Sequence, residues 1–241
     1  NTSINEQAAH YTPKIGDLTV LTEEDVVKID FGVGVDGYVI DQAFTRNFSG
    51  KYDGLVEASK LALEKAVEEM KPGKKTSDVG KVIEDVIRSK GFVPISNLCG
   101  HSIDQYELHA GISIPNVARG SHVIEEGEVF AIEPVATTGA GLVRDGNVCE
   151  IYSVVNPKNV RLPQSRKVLE FLSETIQTLP FAKRHLLAAL PSEASIELAL
   201  ADLTRQGILT NYPVLVEENN GIVSQAETTV IVEKDGARAL V

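Results

Sequence analysis

The sequence predicts an α+β fold in which helices pack on one face of a mostly antiparallel sheet. Three observations carry this. Val26-Val27-Lys28-Ile29-Asp30-Phe31 reads as a strand, Asp36-Gly37 is the dipeptide of a type I′ turn, and Tyr38 to Phe48 resumes strand character, which makes a hairpin. Two helical patterns follow the hairpin. Further strand patterns follow the helices.

The first ~25 residues read as irregular, with turn chemistry at Thr12-Pro13 and Ile15-Gly16-Asp17. Leu55 to Met70 is rich in strong helix formers and is stopped by Pro72-Gly73. A second helix opens at Thr76 or Ser77 as cap. It places Val79, Val82, Ile83, Val86 and Ile87 on one face and closes at Gly91. Residues 92–155 read as strands and loops, with Glu128–Thr137 and Val148–Val155 the clearest strands. A helical block then runs from Pro163 to Gln206, with helices near Ser165–Gln177, near Phe181–Leu190 and from Ser192 with Ile196, Ala199, Leu200 and Leu203 inward. Gly207 ends it. Strands resume at Val214–Val216 and Ala226–Val232. The block therefore interrupts a β region and reads as an inserted subdomain.

The chain has 241 residues, which bounds it to one or two domains. Its net charge of −11 would repel phosphates, which argues against nucleic-acid binding. No run approaches the ~18 consecutive apolar residues of a membrane span. Two cysteines, Cys99 and Cys149, cannot make a disulfide framework, and a reduced, cytoplasmic protein is the expectation.

Gly32-Val33-Gly34-Val35-Asp36-Gly37 matches a dinucleotide-binding pattern, but strand residues follow it where that motif needs a helix N-terminus. The hairpin itself is more informative. With Asp36-Gly37 as the turn, Asp30 faces Ala43 and Asp41 faces Gly32. The two aspartates then share a sheet face as diagonal neighbours roughly 7–8 Å apart. Two carboxylates so close between apolar strands call for a shared proton or a cation. A solvated sheet face is the plain alternative. Glu133 lies in an apolar strand pattern, Val129 to Val135, and Glu227 stands near the start of another. A salt bridge or an edge position could explain either alone. Together with the aspartate pair they point to metal. His101, after Gly100, and His109, before Ala110-Gly111, offer nitrogen donors, although a lone histidine is more often structural or exposed than a ligand. One histidine with four carboxylates suits two hard divalent ions that share bridging ligands.

In this order, these residues resemble the methionine aminopeptidases, best the type II branch in its short archaeal-like form. The matching segments include Ala8-Ala9-His10-Tyr11-Thr12-Pro13, Lys28-Ile29-Asp30-Phe31-Gly32, Ile40-Asp41-Gln42-Ala43-Phe44-Thr45, Gly100-His101-Ser102-Ile103, Leu108-His109-Ala110-Gly111, Glu126 to Glu133 and Gln225-Ala226-Glu227-Thr228-Thr229. The resemblance implies the pita-bread fold, a curved antiparallel sheet with outer helices. It implies one catalytic domain over 1–241 that lacks the family's N-terminal helix-and-strand unit, with a helical insert over about 156–220. It implies two divalent ions, of Co, Mn, Fe or Zn, held by Asp30, Asp41, His101, Glu133 and Glu227, with Asp41 and Glu227 as bridges. It implies removal of the N-terminal methionine from nascent proteins by metal-hydroxide attack on the first peptide bond. Glu133 is the expected proton shuttle, and His10 and His109 would flank the substrate. Leu108, Ile40 and Tyr212 are expected pocket walls, from their places beside matched motifs. A soluble monomer working near the ribosome, with no membrane or nucleic-acid partner, is the expectation. A prolidase-like Xaa-Pro peptidase and a non-catalytic binding protein of the same fold are the rival readings.

Overall fold

The computed structural model describes residues 1–241. The chain opens on two short strands, β1 (Thr2–Ile4) and β2 (Gln7–Ala9), where the sequence reads as irregular. Both find partners far along the chain. β1 pairs with β3 (Val26–Val35), and β2 pairs with a strand some 200 residues later. β3 and β4 (Tyr38–Asn47) form the expected hairpin, with Asp30 opposite Ala43 and Gly32 opposite Asp41. The chain therefore turns back as strand at Asp36-Gly37, and the glycine pattern before it is no nucleotide loop.

Next come α1 (Asp53–Glu69) and α2 (Thr76–Ser89). α1 buries Leu55, Ala58, Ala62 and Ala66, which recur at three- and four-residue steps. α2 buries Val79, Ile83 and Ile87. Its N-cap is Lys75, one residue earlier than expected, because Asp78 in the first turn accepts the Lys75 backbone N–H at 2.9 Å. The strands that follow are β5 (Val93–Pro94), β6 (Cys99–Ser102), β7 (Ser113–Pro115), β8 (Val129–Ile132), β9 (Val135–Thr137) and β10 (Val143–Val154).

The helical block comprises α3 (Pro163–Thr175), β11 (Phe181–Ala182), a 3-10 turn over Lys183–Ala188 and α4 (Glu193–Arg205). The expected helix at Phe181–Leu190 is thus a strand pair followed by a 3-10 turn, because Phe181 and Ala182 take up backbone pairing with Tyr152 and Ile151. The block closes its own core, in which Val168, Leu172, Leu186, Ile196 and Leu203 are buried together. β12 (Leu209–Glu217), β13 (Val223–Gln225), β14 (Thr228–Glu233) and β15 (Gly236–Ala239) complete the chain.

Every strand pairing is antiparallel. The sheets run in the orders β1-β3-β4, β11-β10-β12-β2, β13-β9-β5 and β15-β14-β8-β6-β7. α1 and α2 bury their apolar stripes against Phe130 and Ile132 of β8 and Val230 and Val232 of β14. On the opposite face of this sheet His101 and Thr229 lie on either side of Ala131.

A sheet seam that gathers four carboxylates

Glu133 and Glu227 do not lie within strands, as the sequence pattern suggests. Each sits at a break. Glu133-Pro134 separates β8 from β9, and Ala226-Glu227 separates β13 from β14. The reason is partly Pro134, which has no N–H for a ladder. Asn116 splints this break. Its Nδ2 donates to the carbonyls of Leu98 and Glu133, and its Oδ1 accepts the Val135 N–H at 3.0 Å. β9 pairs with β13 on one side of the breaks, and β8 with β14 on the other. Both glutamates therefore stand where the chain passes from one sheet to the next.

The hairpin docks on this seam. Ala43 and Glu227 exchange backbone hydrogen bonds of 3.3 and 2.9 Å. The Thr229 hydroxyl accepts the Asp41 N–H at 2.7 Å and donates to the Asp41 carbonyl at 2.9 Å. His101 arrives on β6, opposite Ala131 of β8. The preceding Gly100 permits this approach, since a Cβ there would lie 2.3 Å from the Ala131 carbonyl oxygen.

The result is a cluster of side chains from five separate segments. Donor atoms of Asp41, His101 and Glu227 all lie within 4.8 Å of one another. His101 Nε2 is 3.8 Å from Asp41 Oδ2 and 3.9 Å from Glu133 Oε1. These separations are too long for hydrogen bonds, yet suit atoms that share a third partner. No Lys or Arg pairs with Asp30, Asp41, Glu133 or Glu227.

Burial and mutual repulsion disfavour the charged forms of these groups. Burial, then the neighbouring Asp30, pushes Asp41 up to about 7. Burial and the surrounding carboxylates raise Glu133 and Glu227 well above the usual range. Burial, then His109, pulls His101 down to about 4, so its imidazole is neutral and free to act as a ligand. A set of hard oxygens with one neutral nitrogen, and no Lys or Arg beside it, fits divalent cations.

The cluster lines one wall of a cavity of about 590 Å³. Three rings line it from His101 outward. The His101 and His109 centroids are 4.4 Å apart, His109 and Tyr212 are 5.9 Å apart, and Tyr212 meets His10 edge-on at 5.5 Å. His10 has a left-handed backbone, φ 66°, a conformation uncommon for a side chain with a Cβ. Its Nδ1 lies 3.1 Å from the Pro213 carbonyl. A carbonyl can only accept, so Nδ1 carries the hydrogen and Nε2 keeps its lone pair. Burial also lowers the His10 pKa and favours this neutral form.

Leu108 and Tyr212 line the cavity as expected, but Ile40 does not. Side chains alternate along β4, so Val39 and Asp41 face the cavity and Ile40 faces away. Sequence reasoning also passed over Asn1, Asn116, Gln225 and Thr229. Gln225 carried a readable signal, being an amide two positions before Glu227, the spacing that puts two strand residues on one face.

Fold and site together define a metallopeptidase built on antiparallel sheets. Residues 1–162 match the model of metallopeptidase family M24, and the chain belongs to that family. It is 50% identical over 239 residues to a methionine aminopeptidase of Thermococcus onnurineus, covering 98% of this chain and 81% of that protein. It is 47% identical to one of Methanocaldococcus jannaschii, covering 98% and 79%. Among solved structures, a thermophilic Arx1 superposes with a TM-score of 0.81 at 20% identity, covering 99% of this chain and 74% of that one. A methionine aminopeptidase of Thermotoga maritima gives 0.66 at 22%, covering 99% and 72%. A prolidase of Pyrococcus furiosus gives 0.55 at 17%, covering 99% and 47%. These three likenesses show the shared pita-bread fold alone. The activity is that of a metal-dependent methionine aminopeptidase. No helix is long and apolar enough to cross a membrane.

Proposed function

We propose that Asp30, Asp41, His101, Glu133 and Glu227 hold two divalent ions, and that His10 and His109 handle the peptide beside them. The observation that supports this most is the convergence of four carboxylates with no Lys or Arg among them. Divalent ions held there would supply Lewis acidity toward a carbonyl and lower the pKa of a water. Mn, Fe, Co and Zn all suit this donor set.

The remaining work falls to the side chains. Asp41 and Glu227, the more deeply buried carboxylates, lie with His101 in the tightest group of donors and would be the ligands shared by both ions. Glu133 would serve as the proton carrier, since its Oε1 faces the cluster beside His101 while burial favours its protonated form. His109, at the open side of the cavity, hydrogen-bonds the substrate carbonyl. His10 presents a bare Nε2 and accepts the N–H of the scissile peptide, which orients the departing nitrogen. Leu108, Leu98, Ile112 and Val39 offer apolar surface for the unbranched methionine side chain. The substrates are the N-terminal segments of nascent proteins.

Peptide choice tests this reading. An apolar pocket gains or loses ~1–3 kcal/mol per methylene, or 10–200-fold. Met-Ala-Ser is expected to be cleaved far faster than Ala-Ala-Ser, and Met-Leu-Ser poorly because its second residue is bulky. Leu-Pro is expected to resist. Faster hydrolysis of Leu-Pro than of Met-Ala-Ser at equal metal loading would favour a prolidase-like activity.

A further inference from the structure

The donors that reach the carboxylate cluster are neutral amides. Asn1 Nδ2 donates to Asp30 Oδ2 at 2.8 Å. The Gln42 backbone N–H reaches Asp41 Oδ1 at 3.1 Å. Gln225 is the most telling. Its Nε2 lies 3.4 Å from Glu133 Oε2 and 3.2 Å from Glu227 Oε2, so its two hydrogens serve two different carboxylates. The opposite amide orientation would set a carbonyl oxygen against two carboxylates, which excludes it. Gln225 is 3% exposed, and its Oε1 has no hydrogen-bond partner. A buried orphan acceptor is costly, and an apolar side chain would avoid it.

The Gln225 backbone is anchored independently of its side chain. β13 sets Gln225 opposite Val135, the Thr45 hydroxyl donates to its carbonyl at 2.7 Å, and its N–H reaches the same hydroxyl at 2.8 Å. The amide is thus held at a fixed place between the two sheet breaks. Glu133 and Glu227 lie at these breaks, outside the strands β8, β9, β13 and β14. Glu133 Oε2 faces Gln225, whereas Glu133 Oε1 is the oxygen that faces His101.

We infer that Gln225 is a positioning residue that binds one oxygen of both Glu133 and Glu227 and so turns their other oxygens toward the cations. An amide can do this without adding positive charge, whereas Lys or Arg would compete with the cations for the same carboxylates. The inference rests on the ligand assignment above.

The test compares the full chain with Gln225→Met, which keeps length and volume but loses both donors. Co(II) binding is measured by calorimetry, and the visible absorption of bound Co(II) reports ligand geometry. The variant is expected to fold, to bind Co(II) ~10–100-fold more weakly, the usual scale for loss of an outer partner, and to show an altered Co(II) spectrum. Should the Met variant not fold, Gln225→Asn, which withdraws the amide by one methylene, carries the same expectation. Unchanged affinity and spectrum in the folded variant would overturn the role of Gln225 while leaving the ligand set standing. Absence of Co(II) binding by the unmodified chain would instead overturn the ligand set, and this inference with it.

Discussion

Glu217, Glu227 and the half-buried Glu133 all stand near strand ends, and they are satisfied in opposite ways. Glu217 is 0% exposed at the end of β12. Its Oε1 accepts the backbone N–H groups of Ala140 and Gly141, and its Oε2 accepts those of Asn219 and Gly221, both at 2.8 Å. Even the surrounding chain is shaped for it, since a Cβ at Gly139 would lie 2.3 Å from the carboxylate. Glu133 and Glu227 receive only the long bonds from one shared amide and crowd other carboxylates instead. A carboxylate that staples loops takes all its donors from the backbone. The proposed ligands are left short of such donors, and a cation would supply what is missing.

The largest effect that sharpens this contrast is Asp41→Asn. Turnover is expected to fall by orders of magnitude and metal content to drop, while the metal-free protein folds at least as well, since a repelling charge is gone. Asp36→Asn, at the hairpin turn, is the control and is expected to be nearly silent, because Asn-Gly makes the same turn. Equal losses in the two variants would break the distinction.

His10→Ala comes next. A proton-handling group is expected to cost roughly 10²-fold or more in turnover, with metal content and folding normal. The bare Nε2 is also nucleophilic, so an epoxide that enters the cavity is expected to label His10. Label found only at His101 or His109 by peptide mass mapping would refute this placement.

Glu217→Ala probes the other side of the comparison. It orphans four backbone donors and is expected to lower unfolding stability by at least ~3 kcal/mol in urea titrations. Metal affinity per folded molecule is expected to hold. Glu133→Gln is expected to show the reverse, with affinity lost and stability of the metal-free chain kept.

The smallest effect is in pH. Asp41 titrates at about 7 in the metal-free fold, against a lower value when unfolded, so the folded state binds more protons between the two. Stability of the metal-free chain is therefore expected to decline as pH rises from ~4 toward ~7, reading from the ordinary aspartate value. Metal must displace that proton, so affinity rises over the same range. A metal-free chain that gains stability over this window would contradict the shifted Asp41.

Much of this site is legible in the sequence because its first two carboxylates share a hairpin. Asp36-Gly37 sets the register, and the register puts Asp30 and Asp41 on one face with no further information. The same alternation places Ile40 on the other face, against a placement argued from adjacency to Asp41. The breaks at Glu133 and Glu227 are less readable. Their apolar flanks look like continuous strands, and the groups that hold them apart come from elsewhere, Asn116 beside Glu133 and the hairpin residue Ala43 opposite Glu227. β1 and β2 are hidden for the same reason, since three-residue strands take their stability from partners distant in the chain. The two carboxylate groupings likewise differ only in backbone donors, which a list of side chains does not display.

The four carboxylates, with no Lys or Arg beside them, are proposed to form a two-cation centre. Anomalous scattering from a crystal loaded with Mn or Co tests it most directly. Two peaks are expected, both within ligand distance of Asp41 and Glu227, one also beside Asp30 and the other beside His101 and Glu133. A loaded crystal with no peak near Asp41 would contradict the account.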